Sequence, residues 1–184
     1  MKLKHHVIAL TIVLLLFCVP AYAAQYAPSE NSYSFTYPDE WTIDTVSYTS
    51  SNTDDSLWLC DFHPNGCIIE LDMINYADLY KTMSLYSADE AQMNRYMQDI
   101  VTSYENSGET ALYLDTYQVP YADTQIPFLI YQVTGAKNGD FYYADTLANG
   151  WGITLYSYSE SDTALDPKCL EHLKTLLSGF VPAV

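Results

Sequence analysis

Apolar positions along the chain recur with two periods, and the change of period separates strands from helices. From Ser32 to Thr36 polar and aromatic residues alternate, the two-residue period of a half-buried strand. Pro38 fixes its own φ and holds Tyr37 extended, so Pro38-Asp39-Glu40 reads as a turn. A second strand leaves through Trp41, with Ile43, Thr45 and Ser47 on one face and Asp44, Val46 and Tyr48 on the other. The segments after the first strand are read as its pairing partners. Thr49 to Ser56 is polar and reads as a loop. Leu57–Phe62 and Cys67–Tyr76 form the next two strands around His63-Pro64-Asn65-Gly66. A register that opposes Trp58 to Ile69 and Cys60 to Cys67 puts their apolar residues on one side.

The period then lengthens. Leu79, Met83 and Tyr86 predict a short helical segment. Ser87-Ala88-Asp89-Glu90 has the form of a capping box, and Met93, Tyr96, Met97, Ile100 and Tyr104 follow at helical spacing. These predict a helix over 88–104, ending before Gly108. Ala111 to Val119 alternates again as a strand, and Pro120 to Gln125 reads as a loop. Three apolar segments follow, joined by Asn138-Gly139 and Asn149-Gly150, the strongest short-range hairpin signal. With two-residue loops at both, Leu129, Tyr131 and Val133 share a face with Ala144, Thr146 and Ala148, and Trp151, Ile153 and Leu155 join it. Ser159 to Ala164 is a loop. Asp166 then caps a helix with Pro167 at its first position, Leu170, Leu173, Leu176 and Leu177 as its stripe, and Gly179 at its end. Cys169 lies at the edge of that stripe and reads as an inert buried thiol. The fold class expected is α+β: an antiparallel sheet of about seven to eight strands flanked by two main helices.

The first residues stand outside this pattern. Lys2 and Lys4, the apolar run Val7–Val19 and Ala21-Tyr22-Ala23 have the layout of a secretory signal cleaved after Ala23. The run is shorter than the about 20 residues of a membrane span, and an uncleaved N-terminal anchor is the alternative. Phe17 before Cys18 argues against lipid attachment. The expected organisation is a signal over 1–23 and one exported domain over 24–184, secreted, with no stable membrane span after cleavage.

Loss of Lys2 and Lys4 with the leader takes the formal charge from −16 to −18. Nucleic acid is excluded as a partner, because binding its phosphates depends on Lys and Arg. The 18 tyrosines suit half-buried strand faces and also a protein or carbohydrate contact surface. Beyond the leader the cysteines are Cys60, Cys67 and Cys169. Export permits disulfides, and the register above brings Cys60 and Cys67 within bonding range; two buried thiols are the alternative.

The chemical inventory is thin. The histidines beyond the leader are His63 and His172. The sequence contains no G-x-S-x-G elbow, H-E-x-x-H, P-loop or dinucleotide glycine pattern, and no spaced Cys/His metal signature. No catalytic residue, metal ligand or cofactor site is assigned. The chain is read as non-catalytic, and a small extracellular hydrolase using His63 with nearby carboxylates such as Asp61 is the alternative.

Phe35-x-Tyr37-Pro38-x-x-Trp41 resembles the opening signature of PsbP-like domains, a family with bacterial exported members. The close, Leu176-Leu177-Ser178-Gly179-Phe180, is similar to that family's Ser-Phe step with a glycine inserted. The resemblance implies an antiparallel sheet between helices and a binding or assembly role without catalysis. It transfers no site residue onto this chain. The partner expected is an extracellular protein or ligand. On this reading Phe35 and Trp41 belong to the core and Pro38 sets the angle between the first two strands. The competing folds are nuclear-transport-factor-like and cystatin-like curved sheets.

Overall fold

The computed structural model describes residues 23–27, 33–49, 56–75, 84–161 and 164–181. Five strands come first: β1 (Ala23–Tyr26), β2 (Ser34–Pro38), β3 (Thr42–Thr49), β4 (Ser56–His63) and β5 (Cys67–Asn75). A 3-10 turn, Leu85–Ser87, leads into helix α1 (Glu90–Asn106). Four long strands follow, β6 (Thr110–Tyr121), β7 (Thr124–Thr134), β8 (Phe141–Ala148) and β9 (Trp151–Ser159), then helix α2 (Pro167–Ser178) and the short β10 (Phe180–Val181). Seven strands make one antiparallel sheet in the order β3-β4-β5-β9-β8-β7-β6, and β1, β2 and β10 make a second, in the order β1-β2-β10. The class is α+β, with a large sheet carrying a helix on each face.

β7 and β8 are buried on both faces, whereas β5 and β9 alternate buried with half-buried positions and edge strand β6 is largely exposed. On one face Ile69, Leu71 and Met73 of β5 and Ile153 and Leu155 of β9 pack in the cluster that holds Leu173, Leu176 and Leu177 of α2. The same cluster takes in Phe35 and Phe180 of the small sheet. On the other face Leu129, Tyr131 and Val133 of β7 and Tyr143 and Leu147 of β8 lie under Met93, Met97 and Ile100 of α1. α2 begins where expected: Asp166 accepts from the Lys168 N–H, with Pro167 in the first turn.

Several expectations are corrected. The segment after β2 is not its partner. β2 pairs with β1 before it and β10 at the far end of the chain, Tyr26 and Phe180 both opposing Phe35. The turn after Pro38, closed by the Trp41 N–H on the Pro38 carbonyl, sends β3 into the other sheet. Gly179 makes the β10 contact feasible. Its carbonyl accepts from the Thr36 N–H at 2.7 Å, and a Cβ there would lie 1.9 Å from the Thr36 carbonyl oxygen. Its φ of −94° is ordinary, so it is glycine for close approach and not for a left-handed cap.

The β4–β5 hairpin is shifted by four residues, with Cys60 opposite Leu71 and Phe62 opposite Ile69. The turn centres on Asn65-Gly66, closed by the Cys67 N–H on the Pro64 carbonyl, with Gly66 at φ +80°. An even shift preserves faces, so Cys60, Phe62, Ile69, Leu71 and Met73 still share one cluster. The β7–β8 connection errs in the other sense. Asn138-Gly139 is not a two-residue loop; the last pair is Val133 with Phe141, and a longer turn spans Gly135 to Asp140. The odd shift flips the face: Leu129, Tyr131 and Val133 oppose Asp145, Tyr143 and Phe141, while Ala144 opposes Ile130. The Asn149-Gly150 turn is as expected, with both φ angles positive and Ala148 opposite Trp151.

α1 starts two residues later than predicted, because Asp89 and Gln92 cap each other and Ser87 belongs to the 3-10 turn. The predicted loop over 120–125 contracts to Ala122-Asp123, with Pro120 inside edge strand β6, where its missing N–H disturbs no neighbour on the open side. The predicted leader up to residue 22, the loop over 50–55 and the residues Leu79 and Met83 lie outside the described residues.

Candidate functional site

The amphipathic stripe of α1 packs against the sheet without any residue of the helix becoming fully buried. The reason lies in the layer beneath. One row of residues crosses that sheet face from Asp44 (β3) through Asp61 (β4), Glu70 (β5), Tyr156 (β9) and Tyr143 (β8) to Tyr131 (β7). The next row carries Asp72, Thr154, Asp145 and Leu129, and the one after it Ile74, Gly152 and Leu147. Tyrosines and carboxylates thus stand where an ordinary core would have aliphatic side chains, and Gly152 leaves a gap between Ile74 and Leu147. A cleft of about 700 Å³ opens there between helix and sheet. It is lined by Tyr96, Asp99, Tyr104 and Glu109 from the helix side and by Tyr143, Asp145, Gly152 and Tyr156 from the sheet.

Asp145 is the focal group. It is 5% exposed. The Tyr96 hydroxyl on α1 donates to its Oδ2, and the Thr154 hydroxyl donates to its Oδ1 at 2.9 Å. Tyr143 also hydrogen-bonds it. Burial pushes its carboxyl up to about 6, with those three hydrogen bonds opposing the shift. Tyr104 and Tyr143 are raised by burial first and then by neighbouring charges, Asp145 among them. Further along the face Asp72 is raised to about 6 by burial and by the charges of Glu70 and Asp61. A second cleft of about 440 Å³, holding Glu70, Asp72, Lys137 and Tyr158, adjoins the first through Tyr156 and Glu109. A third, of about 610 Å³, lies between Met93 and Met97 of α1 and the outer strands β6 and β7.

The residues singled out by sequence lie elsewhere. Phe35, Tyr37 and Trp41 are buried on the α2 side, and Pro38 ends β2. Tyr37 meets Phe62 at 5.1 Å between ring centroids, and Trp41 meets His172 edge-on at 5.5 Å. The Cys60–Cys67 disulfide is not formed. Cys67 is bonded to Cys169 with Cα atoms 5.8 Å apart, and Cys60 is a buried free thiol. Cys67 points from β5 toward α2, and the four-residue shift of the hairpin carries Cys60 out of reach. His63 ends β4, with its Nε2 3.3 Å from the Asp44 carboxylate, which is 80% exposed. It lines none of the three clefts. Among the described residues no group of three His, Cys, Asp or Glu side chains is placed to hold a metal ion.

The sequence matches no protein-family model and no curated protein. Among solved structures, the chain is similar to the solution structure of cyanobacterial PsbP (CyanoP) from Synechocystis sp. PCC 6803. The TM-score is 0.52 at 12% identity, over 90% of this chain and 95% of that one. The chain has a PsbP-like fold. At that identity the likeness extends to the fold alone, so the PsbP-like scaffold carries no site residue across, and the cleft under α1 is argued from its own geometry. Sequence reading missed this site because the β7–β8 register was wrong. The available signal was Asp145, an acid in the middle of an apolar strand.

Proposed function

We propose that the chain is an exported, non-catalytic PsbP-like domain that binds a protein partner or ligand outside the cytoplasm. The observation that carries the binding reading is the α1 cleft. It is large enough for a ligand and lined by tyrosines and carboxylates, with no histidine or cysteine among its lining residues. The Cys67–Cys169 disulfide and the signal-like first residues support export, since such bonds persist in oxidising compartments. Among the described residues no helix is long and apolar enough to cross a membrane.

The test is capture by the purified, tagged chain from the extracellular fraction of its source. Recovery of a defined partner or ligand supports the reading. Among the described residues, His63 beside Asp44 is an arrangement that a hydrolase could use. A substrate turned over by the chain and spared by His63→Ala overturns the binding reading in favour of a hydrolase.

A further inference from the structure

β6 is the longest strand of the large sheet and stands at its edge, with no described strand on its outer side. Its Leu112, Tyr113 and Leu114 are three of the four large apolar side chains left exposed among the described residues. Leu114 is the extra residue of a bulge, between the pairs Tyr113–Tyr131 and Asp115–Ile130. Beyond the bulge the edge has a defined hydrogen-bonding side. The Thr116 N–H donates to the neighbouring Asp115 carboxylate at 2.8 Å, which places it on the open side. Main-chain groups at alternate positions point the same way, so the N–H and carbonyl of Gln118 and the carbonyl of Pro120 turn outward too. Between this edge and the first turns of α1 runs the groove of about 610 Å³. Met93, Met97, Tyr113 and Leu129 give it apolar walls, and Thr116 and Gln118 form its β6 side. None of its lining residues is charged, in a chain with 23 acids.

We propose that β6 and this groove form a docking site for an extended peptide segment of a partner protein, added to the sheet as a further strand. A residue paired with Thr116 or Gln118 turns its side chain to the same face. That is the α1 face, since Thr116 lies opposite Leu129. Apolar side chains at alternate positions of the segment therefore meet Met93 and Met97, whose flexible thioethers adapt to varied shapes. The bulge interrupts the edge at Leu114 and Pro120 has no N–H to give, so pairing is confined to the stretch from Asp115 to Pro120. Main-chain pairing supplies affinity and the groove selects side chains. Charge sets the end of the segment. Asp89 and Glu90 stand at the start of α1 and Asp123 precedes Thr124 in the hairpin turn, and the Tyr86–Tyr121 contact brings both to one end of the groove. A basic residue is favoured there and an acidic one repelled. The same charges disfavour a second copy, which carries a formal −16 and would bring its own Asp115 and Asp123 to this edge. The inference rests on the partner-binding reading above and deepens it by naming the partner's form. It does not use the cleft under α1, with which the groove shares no lining residue.

The test titrates the purified chain with the peptide Lys-Lys-Leu-Thr-Leu-Thr-Leu, followed by amide and methionine-methyl NMR. Saturable binding is expected, with shifts at Thr116, Gln118, Met93 and Met97. N-methylation at the three leucines removes the N–H groups that face β6 and keeps every side chain; it is expected to weaken binding by about tenfold or more. N-methylation at the two threonines, whose N–H groups face solvent, is expected to be tolerated. Glutamate in place of both lysines is expected to weaken binding about threefold at low salt. Gln118→Pro removes an outward N–H at an exposed position and is expected to weaken the parent peptide about tenfold with the melting curve unchanged. Absence of saturable shifts, shifts away from β6 and the groove, or equal binding of the leucine-methylated and threonine-methylated peptides overturns the proposal. So does a concentration-dependent dimer of the peptide-free chain that shifts the β6 amides, which makes a second copy the occupant. Each of these leaves partner capture through another surface untouched, whereas hydrolysis lost in His63→Ala defeats the wider binding reading without bearing on the peptide titration.

Discussion

Gly179 and Asp145 are single residues whose roles can be separated by substitution. At Gly179 the backbone of α2's end lies against the β2 carbonyl of Thr36, and any Cβ would penetrate it. Gly179→Ala is therefore expected to lower stability by about 1–3 kcal/mol through enforced backbone movement, read from urea unfolding. A midpoint equal to that of the parent would show that β10 is not held where the structure has it. Asp145 acts through pH. Its carboxyl titrates near 6 in the fold against 3.8 as the ordinary value, so between those limits the folded state binds the proton more readily than the unfolded one. Stability should fall as pH rises from about 4 to 6, and the deficit, up to about 3 kcal/mol, should persist above 6. Asp72, raised in the same direction, adds to the trend, as does general repulsion in so acidic a chain. Asp145→Asn isolates the one contribution, and is expected to flatten the profile between pH 4 and 6. An unflattened profile would place the pH dependence in the other carboxylates.

At the scale of elements, local periodicity was legible and long-range register was not. The α1 stripe of Met93, Tyr96, Met97, Ile100 and Tyr104 faces the sheet as its spacing requires, and the Asp166–Pro167 start of α2 is where its chemistry places it. The three Asn-Gly pairs show why register failed. Asn149-Gly150 is a two-residue turn, Asn65-Gly66 centres a turn that was read elsewhere, and Asn138-Gly139 is part of a longer connection. β7 is apolar on both faces from Ile126 to Tyr131, so alternation could not reveal that the assumption at Asn138-Gly139 put every side chain on the wrong side. That error hid Asp145 from the tyrosine layer. The Phe35-x-Tyr37-Pro38-x-x-Trp41 stretch was legible in a different way: its aromatics are buried, but its partners came from the two ends of the described chain. Trp41 packs on His172 of α2 just after the turn that redirects the chain. Trp41→Ala is expected to cost about 3–5 kcal/mol in thermal unfolding, and an unchanged melting curve would remove the motif from the core.

For the molecule as a whole, the bond that ties the two halves of the sequence is Cys67–Cys169, across a separation of 102 residues. It fixes α2 to strand β5, beside the central strand β9, on the face opposite the cleft. Closing so long a loop restricts the unfolded chain by about 4–5 kcal/mol on the chain-entropy account, a large share of the stability of a domain this size. The bond also joins the question of compartment to that of fold, since a reduced chain would carry the α2 layer on packing alone. Thiol counting on the chain recovered from its source addresses both. A mass corresponding to 161 residues from Ala24 is expected if the leader is cleaved after Ala23. Under native conditions alkylation should add nothing, because burial first, and then the charges of Asp61 and Asp44, push the Cys60 thiol up to about 12. Denatured without reductant, the chain should take one adduct, at Cys60. After reduction it should take three, at Cys60, Cys67 and Cys169. A fourth adduct would locate Cys18 in the mature protein and so retain the anchor. Three adducts without reduction would break the link between α2 and β5, and with it the argument from the disulfide to an oxidising compartment.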